Sequence, residues 1–399
     1  MKKKIVIQYY VLSFLLSAFG LSIISAIYAT FMIKHGLNLF EINVVNTTYF
    51  VTLFVCEIPT GVFADVFGRK KSFIVSSGFL SLSMFIYGCS DSMSGFILAE
   101  IVGAFGVTFK TGAFDAWLVD SLGHYGHHEP CTKIFALGNV VNQVAAIIGA
   151  IIGAYVSVVH PSFPWFLGSI GLVGVTILAA IIMKEEYFVK KTRNCSQGIT
   201  EMKKTTILSF KYATQEKSVR FVLLITSIQV FAVMSINMYW QPFFGNMGVA
   251  EKNYGWIFMS MIVMLGLGSF VASRIDSVNK EKHILIWSQI VVGVCLIGVF
   301  VTKMLPVALA FFVLHEFGRG FWGPMKSGYL HSRIPSSERA TVVSFCEIIP
   351  HISGALGLLA SGLIANSFGV IAAWFVSALL LIVSATIFVK NGNGSSHIK

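Results

Sequence analysis

Charged residues are scarce in this chain: they make up 12% of it, whereas hydrophobic residues make up 55%. Soluble globular domains carry about 25% charged residues, so most of this chain does not meet water. The mean hydropathy of +0.78 points the same way. The shortage of charge excludes an ordinary soluble enzyme or binding domain and indicates a protein that lies largely within a membrane.

Several patterns that carry catalysis or bind cofactors are also missing. The six cysteines show none of the paired spacings typical of metal sites or disulfide frameworks, and most of them lie in apolar runs. The sequence has no G-x-x-x-x-G-K-[ST] pattern for binding ATP phosphates, and no nucleophile with a matching base stands out. We therefore expect neither an enzyme nor a cofactor or metal site.

Long hydrophobic runs are what the chain has in abundance. Runs of about 18 or more apolar residues can cross a bilayer as helices, which satisfy their backbone hydrogen bonds internally. The first run follows a short lysine tract but is too long for the apolar part of a signal peptide. We predict an all-α membrane protein. Its twelve expected spans are 6–33, 42–64, 72–90, 95–120, 134–158, 164–183, 220–242, 254–275, 284–302, 306–330, 341–364 and 369–389.

The basic excess of the chain, a formal net charge of +11, is unevenly distributed among the loops. Only Lys34, Lys252 and Lys303 fall in loops on one side of the predicted membrane, and the remaining loop lysines and arginines fall on the other. Basic loops stay in the cytoplasm. The asymmetry therefore predicts a multi-pass protein of the cell membrane with both termini cytoplasmic, and it explains the charge without a nucleic-acid partner.

One predicted loop is much longer than the others. Residues 184–219 are rich in lysine, serine and threonine, and they divide the chain into an N-terminal half, 1–183, and a C-terminal half, 220–399, each with six spans. Within this linker, residues 199–212 fit an amphipathic helix on the acidic inner leaflet and fit a solvated loop equally well. The sequence leaves both structures open.

A short turn between the second and third spans carries the most informative motif. Residues 61–71 read GVFADVFGRKK, which resembles motif A of the major facilitator superfamily, G-x-x-A-D-x-x-G-R-K. The alternative is an ordinary basic loop. The resemblance implies twelve helices in two pseudo-symmetric six-helix halves and a carrier that works by alternating access. The matching residues are Gly61, Asp65, Gly68, Arg69 and Lys70.

Further segments resemble the drug/proton antiporter branch of that superfamily, which favours export as the direction of transport. Residues 111–122 look like its fourth-span signature, and Gly149 and Gly153 match small residues of its fifth-span signature. The resemblance implies that Asp120 bridges to Arg69 and holds a cytoplasmic gate closed. The residues assigned to this gate are Glu57, Gly61, Asp65, Gly68, Arg69, Lys70 and Asp120.

Ionisable residues inside spans are costly in hydrocarbon and are usually functional. Most of them lie in the fourth and tenth spans, which by the resemblance line a central cavity. Glu100 departs from the family pattern, because many drug transporters have an arginine there. The candidates for proton coupling are Glu316, Asp115, Glu347 and Glu100. The candidates for substrate binding are Lys110, Arg319, His315, Lys326, Asn142, Gln143, Gln229 and Asn237.

Structural roles compete with functional ones at these positions. Glu316 and Arg319 lie three residues apart on one helical face and can form a permanently locked ion pair. His315 can be a hydrogen-bonded packing residue, and Lys110 can be neutralised by an acid on another helix. Our hypothesis is that Glu316 or Asp115 instead exchanges a proton as substrate enters.

We predict a secondary transporter for proton-coupled efflux of a small amphipathic organic compound or drug. It is expected to act as a monomer, with protons, the substrate and the lipid bilayer as its partners. One alternative is proton-coupled transport of an anionic metabolite or a metal-chelating compound such as a siderophore, with Lys110, Arg319 and Lys326 binding its carboxylates. The other is a receptor or scaffold that uses the same fold without flux.

Overall fold

The structure is a computed structural model that describes residues 1–127, 129–188, 216–275, 280–334 and 336–393. The regular secondary structure of these residues is entirely helical, as the long apolar runs predict. The predicted amphipathic segment, 199–212, lies outside the described residues, together with most of the linker around it.

The helices follow one another along the chain with short connections. Those of the first half are α1 (Lys2–Phe19), α2 (Ser22–Ser25), α3 (Tyr28–Lys34), α4 (Leu39–Phe67), α5 (Arg69–Cys89), α6 (Met93–Lys110), α7 (Phe114–His124), α8 (Thr132–Val159) and α9 (Phe163–Ile182). Those of the second half are α10 (Lys217–Asn246), α11 (Tyr254–Arg274), α12 (Glu281–Val301), α13 (Leu305–Gly320), α14 (Trp322–His331), α15 (Ser336–Phe368) and α16 (Val370–Asn393).

Eleven helical segments of the described chain are long and apolar enough to cross a membrane. They correspond to the predicted spans except the tenth. The region predicted for that span, 306–330, is occupied by α13 and α14, which have 16 and 10 residues and are individually too short for a crossing. The predicted order of the spans is therefore present, with the tenth divided into two helices.

The first, fourth and tenth spans are interrupted, which corrects the expectation of continuous helices. The fourth span breaks between α6 and α7, where Gly112 has a φ of 72° that only glycine adopts at low cost. The tenth breaks at Phe321. Pro324 follows within the first turn of α14 and has no N–H to bond the Gly320 carbonyl. The breaks in the fourth and tenth spans therefore have local causes in the sequence.

Packing divides the chain into two compact units. The first comprises Met1–Leu37, Thr48–Met202 and Val249–Phe258, and the second comprises Asn38–Thr47, Lys203–Gly248 and Met259–Lys399. Each unit thus includes a short segment from the other half of the sequence. The boundaries predicted at 183 and 220 divide the chain by position in the sequence, whereas the two units divide it by packing. The division into six plus six spans stays a prediction.

Polar contacts hold the two exchanged segments in their units. In the first unit, the Lys34 ammonium forms an ion pair with Glu251. In the second, the fully buried Asn43 amide donates to the Tyr239 hydroxyl and to the Leu358 carbonyl, each at 2.6 Å. A buried amide is costly unless it is hydrogen-bonded, so these partners stabilise the segment where it lies.

Small residues let α8 pack closely in the first unit. A Cβ added at Gly149 would lie 2.5 Å from the Ala18 carbonyl oxygen, and one added at Gly153 would lie 1.6 Å from that of Ile23. Neither distance is sterically possible, so both glycines are required for this contact. The small-residue pattern of the fifth span therefore has a packing role within the first unit.

Each unit has its own apolar core. In the first, the buried ring of Trp165 stacks on Tyr87 with centroids 4.1 Å apart and lies 5.0 Å from the ring of Phe31. In the second, Phe221 and Tyr329 are buried in a cluster that joins α10, α12 and α14. Aromatic packing of this kind contributes to stability beyond the effect of its buried area. The two cores support the polar residues described below.

Candidate functional site

A cavity of about 620 Å³ opens in the first unit beside the break between α6 and α7. Residues of α1, α6, α7 and α8 line it, together with the connecting residues Thr111 and Gly112. This volume lies within the range of about 300–1,000 Å³ that is typical of small-molecule sites. The broken fourth span therefore borders a space large enough for an organic substrate.

Two opposite charges line this cavity without pairing. Lys110 ends α6 and Asp115 lies in the first turn of α7. The two charged groups are not within the 4.0 Å of an ion pair, and within the described chain the Lys110 ammonium forms neither an ion pair nor a hydrogen bond. Asp115 is exposed to the cavity. Lys110, predicted for substrate binding, and Asp115, predicted for proton coupling, thus face one space from opposite sides of a helix break.

Tyr9 is a member of the site that the sequence did not reveal. Its hydroxyl donates a 2.8 Å hydrogen bond to Asp115 Oδ1, and its ring stacks on Phe114 with centroids 4.9 Å apart. The pattern of the first span offered no signal, because an aromatic residue at a predicted span end is usually part of the interfacial belt. The contact orients one oxygen of Asp115 and leaves the other for a ligand.

Of the amides predicted on α8, one reaches the cavity. Asn142 lines it, and the Ser17 hydroxyl donates to the Asn142 backbone carbonyl at 3.1 Å. Asn139, one turn earlier, also lines the cavity. Gln143 is exposed and is not among the lining residues of this cavity, so its role in substrate binding stays a prediction. A helix presents residues three apart on one face and the next residue on another.

The ionisable residues of the tenth span pair with one another. The buried Glu316 carboxylate accepts a 2.6 Å hydrogen bond from Arg319 Nη1, and the same nitrogen donates to Asn237 Oδ1 at 3.3 Å. His315 is fully buried, its Nε2 lies 3.4 Å from Glu316, and its Nδ1 contacts the Phe312 carbonyl. Glu316 and Arg319 therefore form the ion pair that their spacing predicted.

The remaining candidates of the second unit are separated from this cluster along the chain. Lys326 is partly buried on α14, beyond the break at Phe321. Gln229 is buried on α10, and its Oε1 has no hydrogen-bond partner within the described residues. The side chain of Glu347 lies outside the described residues.

Glu100 is buried in a small polar pocket of the first unit. The Tyr28 and Tyr87 hydroxyls each donate a 2.5 Å hydrogen bond to Glu100 Oε1. Within the described chain, no cation lies within ion-pair distance of this carboxylate. Two tyrosine hydroxyls therefore bind this carboxylate in place of a cation. Neither tyrosine was identified from the sequence.

The motif between α4 and α5 forms the predicted ion pair. Arg69 Nη1 lies 2.9 Å from Asp120 Oδ2, so the bridge implied by the family resemblance is present. Lys70 donates through its ammonium to the Ala180 carbonyl at 2.7 Å. Asp65 is half-buried near the end of α4, and Glu57 is exposed two turns before it.

Glu185 is a further member of this cluster that the sequence did not reveal. Its carboxylate accepts hydrogen bonds from the backbone N–H groups of Arg69 and Lys70, at 2.7 and 3.1 Å, and so caps the N-terminus of α5. Gly68 has a φ of 100°, and a Cβ there would lie 2.6 Å from the Glu185 carboxylate. Gly68 is thus required for the cap, whereas a Cβ at Gly61 would meet no described atom within 4 Å.

Tyr187, which follows the predicted sixth span, belongs to the same cluster. The Tyr187 hydroxyl donates to the Trp117 carbonyl at 3.3 Å, and the Trp117 indole N–H donates to the Lys184 carbonyl at 2.9 Å. Burial, with a smaller contribution from Glu185 and Asp120, raises the pKa of Tyr187 to about 12. Tyr187 therefore remains a protonated hydrogen-bond donor at neutral pH.

The second unit has a corresponding pair with its charges reversed. In the first unit the base, Arg69, begins α5 and the acid, Asp120, lies near the end of α7. In the second unit the acid, Glu281, begins α12, and the base, Arg333, follows the end of α14 at 3.8 Å. Arg333 also lies over the Tyr329 ring, 3.9 Å from its centroid.

Comparison with known families decides the identity of the fold. The model of the Major Facilitator Superfamily matches residues 10–249 and 222–393. The chain belongs to this superfamily. As a member, it is a membrane-embedded transporter of small-molecule substrates with multiple spans, and the superfamily is not enzymatic. The predicted family and the predicted major facilitator fold are confirmed.

Relatives within the superfamily are distant. An uncharacterized MFS-type transporter, YxaM, of Bacillus subtilis (strain 168) is 25% identical over 94% of this chain and 91% of its own length. An uncharacterized MFS-type transporter of Methanocaldococcus jannaschii is 22% identical over 91% of this chain and 92% of its own. Multidrug resistance protein 1 of Bacillus subtilis is 21% identical over 46% of each chain.

Two solved transporters share the fold. The nucleoside transporter NupG matches with a TM-score of 0.79 at 13% identity, over 99% of this chain and all of that one. The human organic anion transporter MFSD10 matches with a TM-score of 0.66 at 13% identity, over 97% and 99%. At such identities the likeness establishes the facilitator fold alone. The substrate of this chain is therefore inferred from its own cavity residues.

Proposed function

We propose that this facilitator is a proton-coupled secondary transporter that exports a small organic compound by alternating access. The observation that carries the proposal is the cavity beside the α6–α7 break, in which Lys110 and Asp115 stand unpaired. Unpaired charges at membrane depth are costly. Their retention next to a substrate-sized space is best explained by a ligand and a proton that neutralise them in turn.

Asp115 is the proposed coupling acid. It faces the cavity, one of its oxygens is oriented by Tyr9, and no cation of the described chain lies within ion-pair distance of it. A proton and a cationic or hydrogen-bonding group of the substrate then compete for the same carboxylate. Glu316 is less suited to this role than its sequence position suggested, because Arg319 already neutralises it at 2.6 Å.

Glu100 is proposed as a second proton site. Its carboxyl group is buried with two tyrosine hydroxyls, and no cation among the described residues forms an ion pair with it. A buried carboxyl group without a cation is held at much lower cost as the neutral acid. Protonation at Glu100 and at Asp115 would then respond to different steps of the cycle, and Glu347 remains a proposed third site.

The ion pair between Arg69 and Asp120 is proposed as the cytoplasmic gate, with Glu185 positioning the end of α5. The pair is partly exposed, and such pairs contribute about 1 kcal/mol or less. That value suits a contact which must break and reform in every cycle. The proposal includes the remaining topology: a monomer in the cell membrane, two six-span halves, and both termini in the cytoplasm.

Proteoliposomes that contain a pH-sensitive dye test the proposal. Because relatives are named for nucleosides, organic anions and multidrug resistance, the probes are nucleosides, organic anions, cationic drugs and zwitterions. We expect at least one probe to move protons through the wild-type protein, and Asp115→Asn to abolish that movement. Glu129→Gln, an exposed acid in the loop between α7 and α8, is the matched control.

Two results would contradict the proposal. Proton movement that survives in Asp115→Asn would remove this residue from the coupling step. Saturable binding of a probe without counterflow of labelled compound would favour the receptor or scaffold reading over transport.

A further inference from the structure

We propose that the cavity beside the α6–α7 break selects a zwitterion: a small compound with an anionic group for Lys110 and an ammonium group for Asp115. The inference deepens the proposed function, on which it rests for the identity of the site. It names the substrate class, which neither the relatives nor the family assigns.

The first argument is the placement of the charges. Lys110 is the last residue of α6 and Asp115 lies in the first turn of α7, with the positive-φ residue Gly112 between them. In a continuous helix, residues five apart lie on different faces. The break brings both onto one cavity and keeps them beyond 4.0 Å of each other. A gap between opposite charges is what a ligand with two charges fills.

The second argument is the state of Lys110. Its side chain is only partly exposed, and within the described chain its ammonium has no hydrogen bond and no ion pair. An ammonium removed from bulk water without a partner is costly. A carboxylate or phosphate group of a ligand would supply the missing partner with a charge-assisted hydrogen bond.

The third argument is the state of Asp115. Tyr9 donates to Oδ1, so Oδ2 is left to accept from a ligand. An ammonium group both donates hydrogen bonds and neutralises the carboxylate. A lipophilic cation would meet Asp115 but be repelled by Lys110, and a polycarboxylate would meet Lys110 but be repelled by Asp115. The site therefore disfavours both lipophilic cations and polycarboxylates.

The fourth argument is the wall between the two charges. The stacked rings of Tyr9 and Phe114 form an apolar surface, and Asn139 and Asn142 supply amides on the facing helix. The lining thus combines apolar rings with polar side chains, and small-molecule sites use such polar groups to fix the orientation of a ligand. A zwitterion with an aromatic or aliphatic body fits this combination.

Two matched sets of probes test the inference on the full-length protein in lipid nanodiscs. The first is phenylalanine, phenethylamine and 3-phenylpropanoate; the second is 4-(aminomethyl)benzoate, benzylamine and benzoate. Within each set the ring is constant and only the charges differ. The second set places the two charges further apart than the first. Binding is measured by isothermal titration calorimetry at one pH and one ionic strength.

In at least one set, we expect the zwitterion to bind at least tenfold more tightly than both singly charged compounds. Lys110→Gln should remove its advantage over the amine, and Asp115→Asn its advantage over the carboxylate. Glu129→Gln should leave all affinities unchanged. Each variant is expected to remove only one of the two affinity differences. A misfolded variant would instead lose affinity for every compound, so the two outcomes are distinguishable.

The inference is overturned if a singly charged compound binds as tightly as the zwitterion in both sets, or if no member of either set binds. Its failure is distinct from failure of the proposed function. Proton-coupled transport of a simple cation or anion would keep the function and remove the inference. Tight zwitterion binding without proton movement would keep the inference and remove the coupling.

Discussion

The fourth and tenth spans are both broken, and both carry an acid and a base near the break. The acid and the base pair in the tenth span but not in the fourth. In the tenth, Glu316 and Arg319 lie on α13, before the break, and pair at 2.6 Å. In the fourth, the break falls between Lys110 and Asp115, and the two groups line a cavity without pairing. What decides whether charges pair or stay available is the position of the break relative to them.

The physical reason is helical geometry. Residues three or four apart on one helix face each other closely enough to pair, and the i,i+3 spacing of the tenth-span residues meets this condition. When a helix break lies between two residues, their spacing in the sequence no longer sets the distance between their side chains. Tertiary packing then positions each residue separately. In this structure one span thus holds a formed ion pair, and in the proposed function the other supplies the binding site, from similar sets of residues.

The largest expected effect is on stability, and it tests the pair in α13. Arg319→Gln leaves Glu316 as a buried carboxylate without a guanidinium, and removing one partner of a buried pair costs about 3–5 kcal/mol. The unfolding free energy measured in detergent with a chemical denaturant should fall by that order. The double variant Glu316→Gln/Arg319→Gln should recover most of it.

Lys110→Gln is the matched control for that measurement. It removes a cation that has no ion-pair partner among the residues the structure describes, so the unfolding free energy should stay the same or rise. Equal losses in Arg319→Gln and Lys110→Gln would show that the contrast between the two spans is wrong.

The next effect is on transport, and it tests the fourth span. Lys110→Gln and Asp115→Asn should each slow counterflow of the transported probe about 10- to 100-fold, since a hydrogen bond to a charged group is worth about 1.5–3 kcal/mol. Lys110→Arg keeps the charge and should retain part of the rate. Transport rates that are unchanged in both neutral variants would remove these residues from the site.

A smaller effect tests the break itself. Gly112→Ala forces a left-handed conformation on a residue with a Cβ and should cost about 1–2 kcal/mol of unfolding free energy, with weaker probe binding as the ends of α6 and α7 shift. Gly123→Ala, inside α7 with open space around it, should instead stabilise by about 1 kcal/mol or less. Stabilisation by Gly112→Ala would show that the break does not depend on this glycine.

The smallest effect extends the comparison to the two reversed ion pairs. Arg69→Asp opposes Asp120 with a second acid, and the double variant Arg69→Asp/Asp120→Arg reproduces the charge order of Glu281 and Arg333. Each change should alter the unfolding free energy by about 1 kcal/mol or less, because the pair is partly exposed. The single variant should slow proton-coupled transport and the double variant should restore part of the rate. No recovery would argue that charge order matters beyond pairing.

Sequence reasoning anticipated one ion pair within a helix, from its spacing, and one ion pair between two helices, from the family resemblance. The spacing of Glu316 and Arg319 and the likeness of residues 61–71 to motif A led to contacts that the structure contains. They did not lead to Tyr9, Glu185 or the two tyrosines around Glu100, because each of these residues lies on a different element from the group it contacts. Periodicity reports which face of a helix a residue occupies, not which distant side chain meets it.

By itself, the sequence determined that this protein crosses the membrane many times and which charges lie at depth. Hydrocarbon penalises bare backbone and bare charge, and both penalties are readable from composition and order. Only the tertiary structure decided which charges cancel and which remain open to a ligand. That outcome depends on where Gly112 and Pro324 interrupt their helices and on which residues of neighbouring helices fill the space beside each break.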